Sequence, residues 1–232
     1  MSQIKVELQD YMGSDRAISE AAWTSSMSST KYTSKTDAEV ESLVKRLAQD
    51  GHSTPFESVI LRFHIVMPIQ TDRQHMTHRI ASHNGMSGRY RTMPAEFLMT
   101  PIDVKGILVQ ATGNYEHAKQ LNNEYSDICT KANNTYLDLL KDFKFAEKEG
   151  RITNTQYKRL REFFRGMLPQ NNMTERITVM NLRSFANYQK LRNSEHAQPE
   201  IREVAERMLD AVKAAGVAPI AIAALEAKGW SL

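Results

Sequence analysis

The sequence is short of several things, and each shortage narrows the possibilities. It has one cysteine in 232 residues, Cys129, so a disulfide framework is excluded and a reducing compartment is the simplest setting. It has no stretch approaching the roughly 20 apolar residues that a membrane span needs. Its opening segment, MSQIKVELQDY, alternates charged and apolar residues and lacks the apolar core of a secretory signal. It also has little excess of either charge, with 30 basic against 27 acidic residues for a net +3. A global nucleic-acid footprint is therefore absent, and any basic function must be local. These absences predict a soluble cytoplasmic protein that does not bind a nucleic acid polymer or a membrane.

What is present fits a globular chain, with 41% hydrophobic and 25% charged residues. Ile4, Val6 and Leu8 alternate with Lys5 and Glu7, a short half-buried strand. A helix starts near Ser14 and reaches Trp23. The Ser/Thr-rich stretch 25–35 reads as a loop. Thr36 and Glu39 form a capping box ahead of Val40, Leu43, Val44 and Leu47 at helical spacing, and Gly51 supplies the stop. Val59 to Met67 reads as a central strand with both faces largely apolar, ended by Pro68. Ile69 to Thr77 predicts a short helix and His83 to Gly88 a loop. A long amphipathic helix is expected from about Tyr115 to Phe143, its apolar side carrying Tyr115, Ala118, Leu121, Tyr125, Ile128, Ala132, Tyr136, Leu139 and Leu140. Further helices are expected over Thr155–Gly166, from Asn181 to about Arg192, from Pro199 to Ala215 and in the Ala-rich C-terminal stretch, with a strand over Glu175–Met180. No repeat, linker or compositional break interrupts 1–232. The expectation is one α+β domain, a small central sheet heavily covered by helices.

Three segments carry residues fit for chemistry. From Arg73 to Arg91 run four arginines (73, 79, 89, 91) beside one acid, Asp72, with His75, His78 and His83. Asn84-Gly85-Met86-Ser87-Gly88 is a small-residue loop whose amides a ligand could approach closely. Arginine forks, free amides and a serine hydroxyl suit a phosphate. A solvated basic turn has the same composition, and the residues alone leave the two readings open. In the second segment, 181–198, Arg183 and Asn187 share a helix face, and Tyr188, Arg192 and His196 form another row if the helix continues. Arg183, Asn187 and Gln198 could read an amide-rich heterocycle, although a polar helix is more simply a surface. The third is GHSTPFE at 51–57, where His52 and Glu57 flank a proline-fixed turn. The three histidines at 75, 78 and 83 lack a cysteine or carboxylate to complete a metal site. Cys129, inside an amphipathic helix, reads as a small buried apolar residue rather than a nucleophile.

Together the segments resemble flavin-dependent thymidylate synthases. GHSTPFES resembles the family's GH-x-TPFEH. RQHMTHRIASHNGMSGRY resembles RQ-x-x-RHR-x-x-S-x-N-E-x-S-x-RY, Arg165 to Pro169 resembles AR-x-x-LP, and LRSFANYQKLRNSEHAQPEI resembles the later RS-x-x-N segment. The resemblance implies a homotetramer with shared active sites that uses FAD, NADPH and methylenetetrahydrofolate to turn dUMP into thymidylate. It implies that Gln74, His75, Met76, Thr77, Gly85, Met86, Ser87, Gly88, Arg89 and Arg165 bind dUMP, with Arg192 both binding and activating the uracil. It implies that Ser25, His52, Thr54, Thr77, His78, Arg79, Asn181, Arg183, Asn187 and His196 bind FAD. Two positions depart from the signature: Thr77 stands for its first RHR arginine and Gly85 for its glutamate. An alternative is therefore a nucleotide- or flavin-binding protein on the same scaffold whose activity is altered or lost, for example one that hydroxymethylates a pyrimidine nucleotide.

Overall fold

A computed structural model describes residues 3–232, and of Ser29 and Thr30 the backbone alone. The expectation drawn from the opening segment thus rests partly on Met1 and Ser2, which lie outside the described residues. The elements are β1 (Lys5–Met12), α1 (Asp15–Trp23), α2 (Ser29–Tyr32), α3 (Asp37–Asp50), β2 (Ile60–Pro68), α4 (Ile69–His75), β3 (Ser82–Gly85), α5 (Ile102–Thr112), α6 (Tyr115–Lys148), α7 (Asn154–Phe164), β4 (Met173–Asn181), α8 (Leu182–Arg192), α9 (Pro199–Ala214) and α10 (Pro219–Ala227). The strands form one four-stranded sheet in the order β1-β2-β4-β3. The α+β expectation, a small sheet covered by helices, is met.

Local chemistry explains most boundaries. Thr36 and Glu39 close the capping box of α3, and Gly51 ends it at φ +74° in the left-handed region. Asn181 caps α8 by accepting from the Ser184 amide. Pro55 opens a short 3-10 turn over Thr54–Ser58.

Contacts group the described residues into two compact units. The first holds residues up to Met67, Thr71–Gly85 and Glu175–Leu232; the second holds Pro68–Gln70 and Met86–Thr174. In the first unit, β2 alternates: Leu61, Phe63 and Ile65 are fully buried, while Ile60, Arg62, His64 and Val66 are not. The strand is interior to the sheet as expected; one face is fully buried, and on the other Ile60, His64 and Val66 are half-buried and Arg62 is exposed. Phe63 stacks on Phe185 of α8, and Ile201, Val204, Ala205 and Met208 of α9 join the same core. Each such side chain contributes roughly 1.5–3 kcal/mol by burial.

The second unit packs α6 around Tyr136, Leu140 and Met93. Asn133 and Asn172 pair their amides there, both buried, and Asn172 also donates to the Pro94 carbonyl. Of the apolar side expected for α6, Ala118, Tyr136 and Leu140 are buried; Tyr115, Leu121, Tyr125 and Ile128 are exposed. The buried stripe runs instead through Cys129 and Asn133. Other differences are local. The stretch 25–35 contains the single turn α2, α5 goes unanticipated, and 82–85 is a strand rather than part of a loop. Among the described residues no helix is long and apolar enough to cross a membrane.

Candidate functional site

In the first unit, β4 alternation sends Arg176, Thr178 and Met180 to the buried side of the sheet. Two of these are polar, so the core must satisfy them. Arg176 is clamped by Asp72 of α4 through Nε–Oδ1 and through Nη2–Oδ2 at 2.7 Å; both residues are buried. Thr178 Oγ1 lies 2.9 Å from His75 Nε2 and 3.3 Å from His83 Nδ1. His75 Nδ1 lies 2.9 Å from the Tyr188 hydroxyl, and His83 Nε2 lies 3.2 Å from the His78 carbonyl. Burial holds His75 down to about 3, so the ring is neutral. Burial likewise raises the Tyr188 phenol. Both nitrogens of His75 thus face protein partners and its ring is fully buried. The ring supports the fold and does not line the pocket described below.

Gly85 lies opposite Arg176 in the β3–β4 ladder. A Cβ at this position would sit 2.8 Å from Arg176 Nη2 and 3.0 Å from Cζ. The glycine is there for close approach, not for a positive φ. The guanidinium fills the room that a side chain at 85 would need.

Beside this strip opens a pocket of about 530 Å³ within the first unit. Its walls bring together Thr77, His78 and Arg79 from the segment after α4 with Arg183, Asn187 and Arg192 of α8. Arg192 Nε donates to His78 Nε2 at 2.8 Å, and its Nη2 donates to Thr77 Oγ1 at 3.0 Å. Burial, then the Arg192 charge, lowers the His78 imidazole to about 4. Arg183 pairs with Glu57 at 2.6 Å in an exposed bridge. Among the described residues no carboxylate side chain lines the pocket, and Ile80, Met180, Leu191 and Trp230 supply an apolar wall. The Ser184 hydroxyl, also on the wall, is buried without a partner. Cationic forks, an amide and an apolar wall are the donor set that a dinucleotide with a flat heterocycle requires. FAD fits these residues.

Other expected residues stand elsewhere. In the second unit, the Arg89 amide donates to Ser87 Oγ at 3.3 Å, and the Tyr90 and Arg91 amides donate to the Ser87 carbonyl at 3.0 Å. A Cβ at Gly88 would meet Arg165 Cδ at 2.9 Å, so that loop and Arg165 are packed together. Met86 packs on the second unit's core. In the first unit, Gln74 has its Oε1 buried without a partner, and Met76 is exposed. Ser25 bonds the Ala22 carbonyl, Thr54 opens its 3-10 turn, and Asn181 caps α8; with His52 and His196, none of these lines the pocket. The helix ends at Arg192, so His196 does not continue the row, and Tyr188 of that row is buried. Cys129 is buried as expected.

Sequence reasoning missed Lys190, Ser184, Trp230 and Arg176. Lys190 was findable, because 183, 187 and 190 share a helix face. Trp230 carries no local signal, since only tertiary folding brings it to the pocket.

Comparison with known proteins agrees with this arrangement. The model of the thymidylate synthase complementing protein family matches residues 7–220. A flavin-dependent thymidylate synthase of Ehrlichia ruminantium (strain Gardel) is 35% identical over 214 residues, covering 90% of this chain and 66% of the relative. The chain thus spans just under two thirds of that relative's length. One from Thermotoga neapolitana is 33% identical over 201 residues, covering 86% of this chain and 81% of the relative. Among solved structures, the UMP/dUMP methylase PolB from Streptomyces cacaoi bound with 5-Br dUMP superposes with a TM-score of 0.76 at 25% identity, covering 100% of this chain and 98% of that one. With the family model spanning nearly the whole sequence and two of the signature segments lining one pocket, the chain belongs to the thymidylate synthase complementing protein family.

Proposed function

We propose that this chain, acting as one flavin-dependent thymidylate synthase-like domain over 1–232, converts dUMP to dTMP. Methylenetetrahydrofolate is the one-carbon donor and NADPH-reduced FAD the hydride source. The observation that carries the reading is the pocket itself: two signature segments about a hundred residues apart place Thr77, His78, Arg79, Arg183, Asn187 and Arg192 on one wall system. The names of the relatives support the same activity.

FAD, when bound, supplies the hydride that reduces the transferred carbon. Arg79 and Arg183 offer cationic donors to its pyrophosphate, and the Asn187 amide offers a donor and an acceptor to its ring. Ser87, Gly88, Arg89, Arg165 and Gln74 are assigned to the nucleotide. Arg192 meets the negative charge that the uracil ring carries when its carbon becomes nucleophilic. A guanidinium does so without giving up a proton. No protein nucleophile is required.

The purified protein should show flavin absorbance and oxidise NADPH when dUMP and methylenetetrahydrofolate are added. The product should carry the mass of thymidylate. Colourless protein that binds no added FAD would overturn the reading. The PolB neighbour is named a UMP/dUMP methylase, and Thr77 and Gly85 depart from the signature. A second reading is therefore a pyrimidine-nucleotide methylase or hydroxymethylase of wider substrate range, which parallel assays with UMP and product mass separate.

The reading includes a cytoplasmic homotetramer with shared active sites. Its support is apolar surface that a second copy would cover: Ile102 is 89% exposed, Ile107 60% and Ile128 68%. A monomer by sedimentation at micromolar concentration would remove the assembly from the proposal.

A further inference from the structure

We propose that Thr77 and His78 are positioning residues that grip the Arg192 guanidinium along one edge. Thr77 then does by hydrogen bonding what leaves the site competent without the signature arginine. The inference rests on the proposed activity.

The grip is specified atom by atom. Thr77 Oγ1 donates its single proton to the Gln74 carbonyl at 2.8 Å. Its lone pairs are therefore the part that faces Arg192 Nη2 at 3.0 Å. Arg192 Nε has one proton and gives it to His78 Nε2 at 2.8 Å. His78 must then be neutral with its proton on Nδ1. The ring itself is held, with its centroid 4.6 Å from that of Tyr188, which is fully buried. The Nε/Nη2 edge of Arg192 is thus consumed by the protein, and the two Nη1 protons and the second Nη2 proton are left for the pocket. A flexible side chain becomes a fixed donor aimed from a wall, the preorganisation that charge stabilisation depends on. The depressed His78 imidazole keeps the acceptor available across the neutral range.

The test compares Thr77→Val, Thr77→Ser and His78→Gln in the FAD-loaded protein. Thr77→Val should lower kcat about 10- to 100-fold, the fold-change of losing a hydrogen bond to a charged group. The fall in kcat should exceed any change in KM for dUMP or in bound flavin. Thr77→Ser should recover turnover. Equal loss in the Ser and Val variants, or flavin loss in place of a kcat loss, overturns the inference. His78→Gln, which keeps an acceptor oxygen, should lose less kcat than His78→Leu; equal loss overturns the role of the ring nitrogen. A second readout needs no turnover: nitrogen-15 NMR should find His78 protonated on Nδ1 and titrating near 4, rising in Arg192→Ala. An Nε2-protonated ring overturns the grip. The expected tautomer in a wild-type protein that fails to turn over dUMP instead condemns the proposed activity.

Discussion

Gly85→Ala is the most demanding perturbation available, because one methyl group is asked to enter space that a buried charge already fills. The added Cβ would lie 2.8 Å from Arg176 Nη2, 3.0 Å from Cζ and 3.2 Å from Nη1. A guanidinium at the end of a free side chain would swing aside at little cost. This one cannot, because it is 8% exposed and bound through two nitrogens to Asp72, which is 7% exposed. Two responses are open. If the strand yields, the cost is that of overpacking, about 1–3 kcal/mol. If the pair separates, a buried charge loses its partner and the cost rises to about 3–5 kcal/mol. The expected loss is therefore at least about 1 kcal/mol, read as a fall in the urea midpoint at unchanged slope. The decisive measurement is a double-mutant cycle. In an Asp72→Leu/Arg176→Met background the obstruction is gone, and Gly85→Ala should cost less than about 0.5 kcal/mol. A Gly85→Ala protein as stable as wild type, or an equal cost in both backgrounds, refutes the argument. Gly85→Glu, which restores the signature residue, carries the same Cβ and should be no milder.

Arg192→Ala should abolish dUMP-dependent flavin oxidation, measured at the flavin absorbance band; normal turnover would end its role at the uracil. Acid should destabilise the fold through His75. Its folded value of about 3 lies below the ordinary 6.5, so the unfolded chain binds the extra proton and stability falls as pH drops from 6.5 toward 3. The loss is up to about 1.4 kcal/mol per pH unit in that window; urea midpoints that are equal at pH 7 and pH 5 would contradict this. Cys129→Ala should leave turnover within about twofold, and native protein should resist iodoacetamide, because the thiol is buried; inactivation by alkylation would reopen a cysteine mechanism.

The elements legible in the sequence are those specified within a few residues. Thr36 with Glu39, Gly51, Asn181 and the alternation from Val59 to Met67 each act locally, and each element formed where they indicate. The strand at 82–85 was not legible, because Ser-His-Asn-Gly has no strand preference of its own and is held by pairing with β4. The buried stripe of α6 was misread because buried Asn133 and Cys129 look like surface and filler in a hydrophobicity pattern. At the site, the shared face of Arg183 and Asn187 was legible because helical spacing alone puts them together. The place of His75 in the core was not legible in its own segment. Its burial depends on Tyr188 and Thr178, about a hundred residues away.

That buried row of side chains has a direction. It ends on the His78 carbonyl, which can only accept, so His83 must hold its proton on Nε2. In the tautomer that carries its one proton on Nε2, His83 accepts at Nδ1 and the Thr178 hydroxyl donates there. Thr178, its one proton spent, accepts from His75 Nε2, and His75 Nδ1 accepts from Tyr188. In that tautomer one backbone carbonyl sets the proton arrangement of four side chains, and every dipole in the row points the same way. No single member can reverse alone: turning one hydroxyl or exchanging one imidazole proton would set two donors or two acceptors face to face. With one proton on each ring, the row is a one-way filament. It terminates on the very residue whose ring holds Arg192, so the wall behind the pocket has its protons ordered before any ligand arrives.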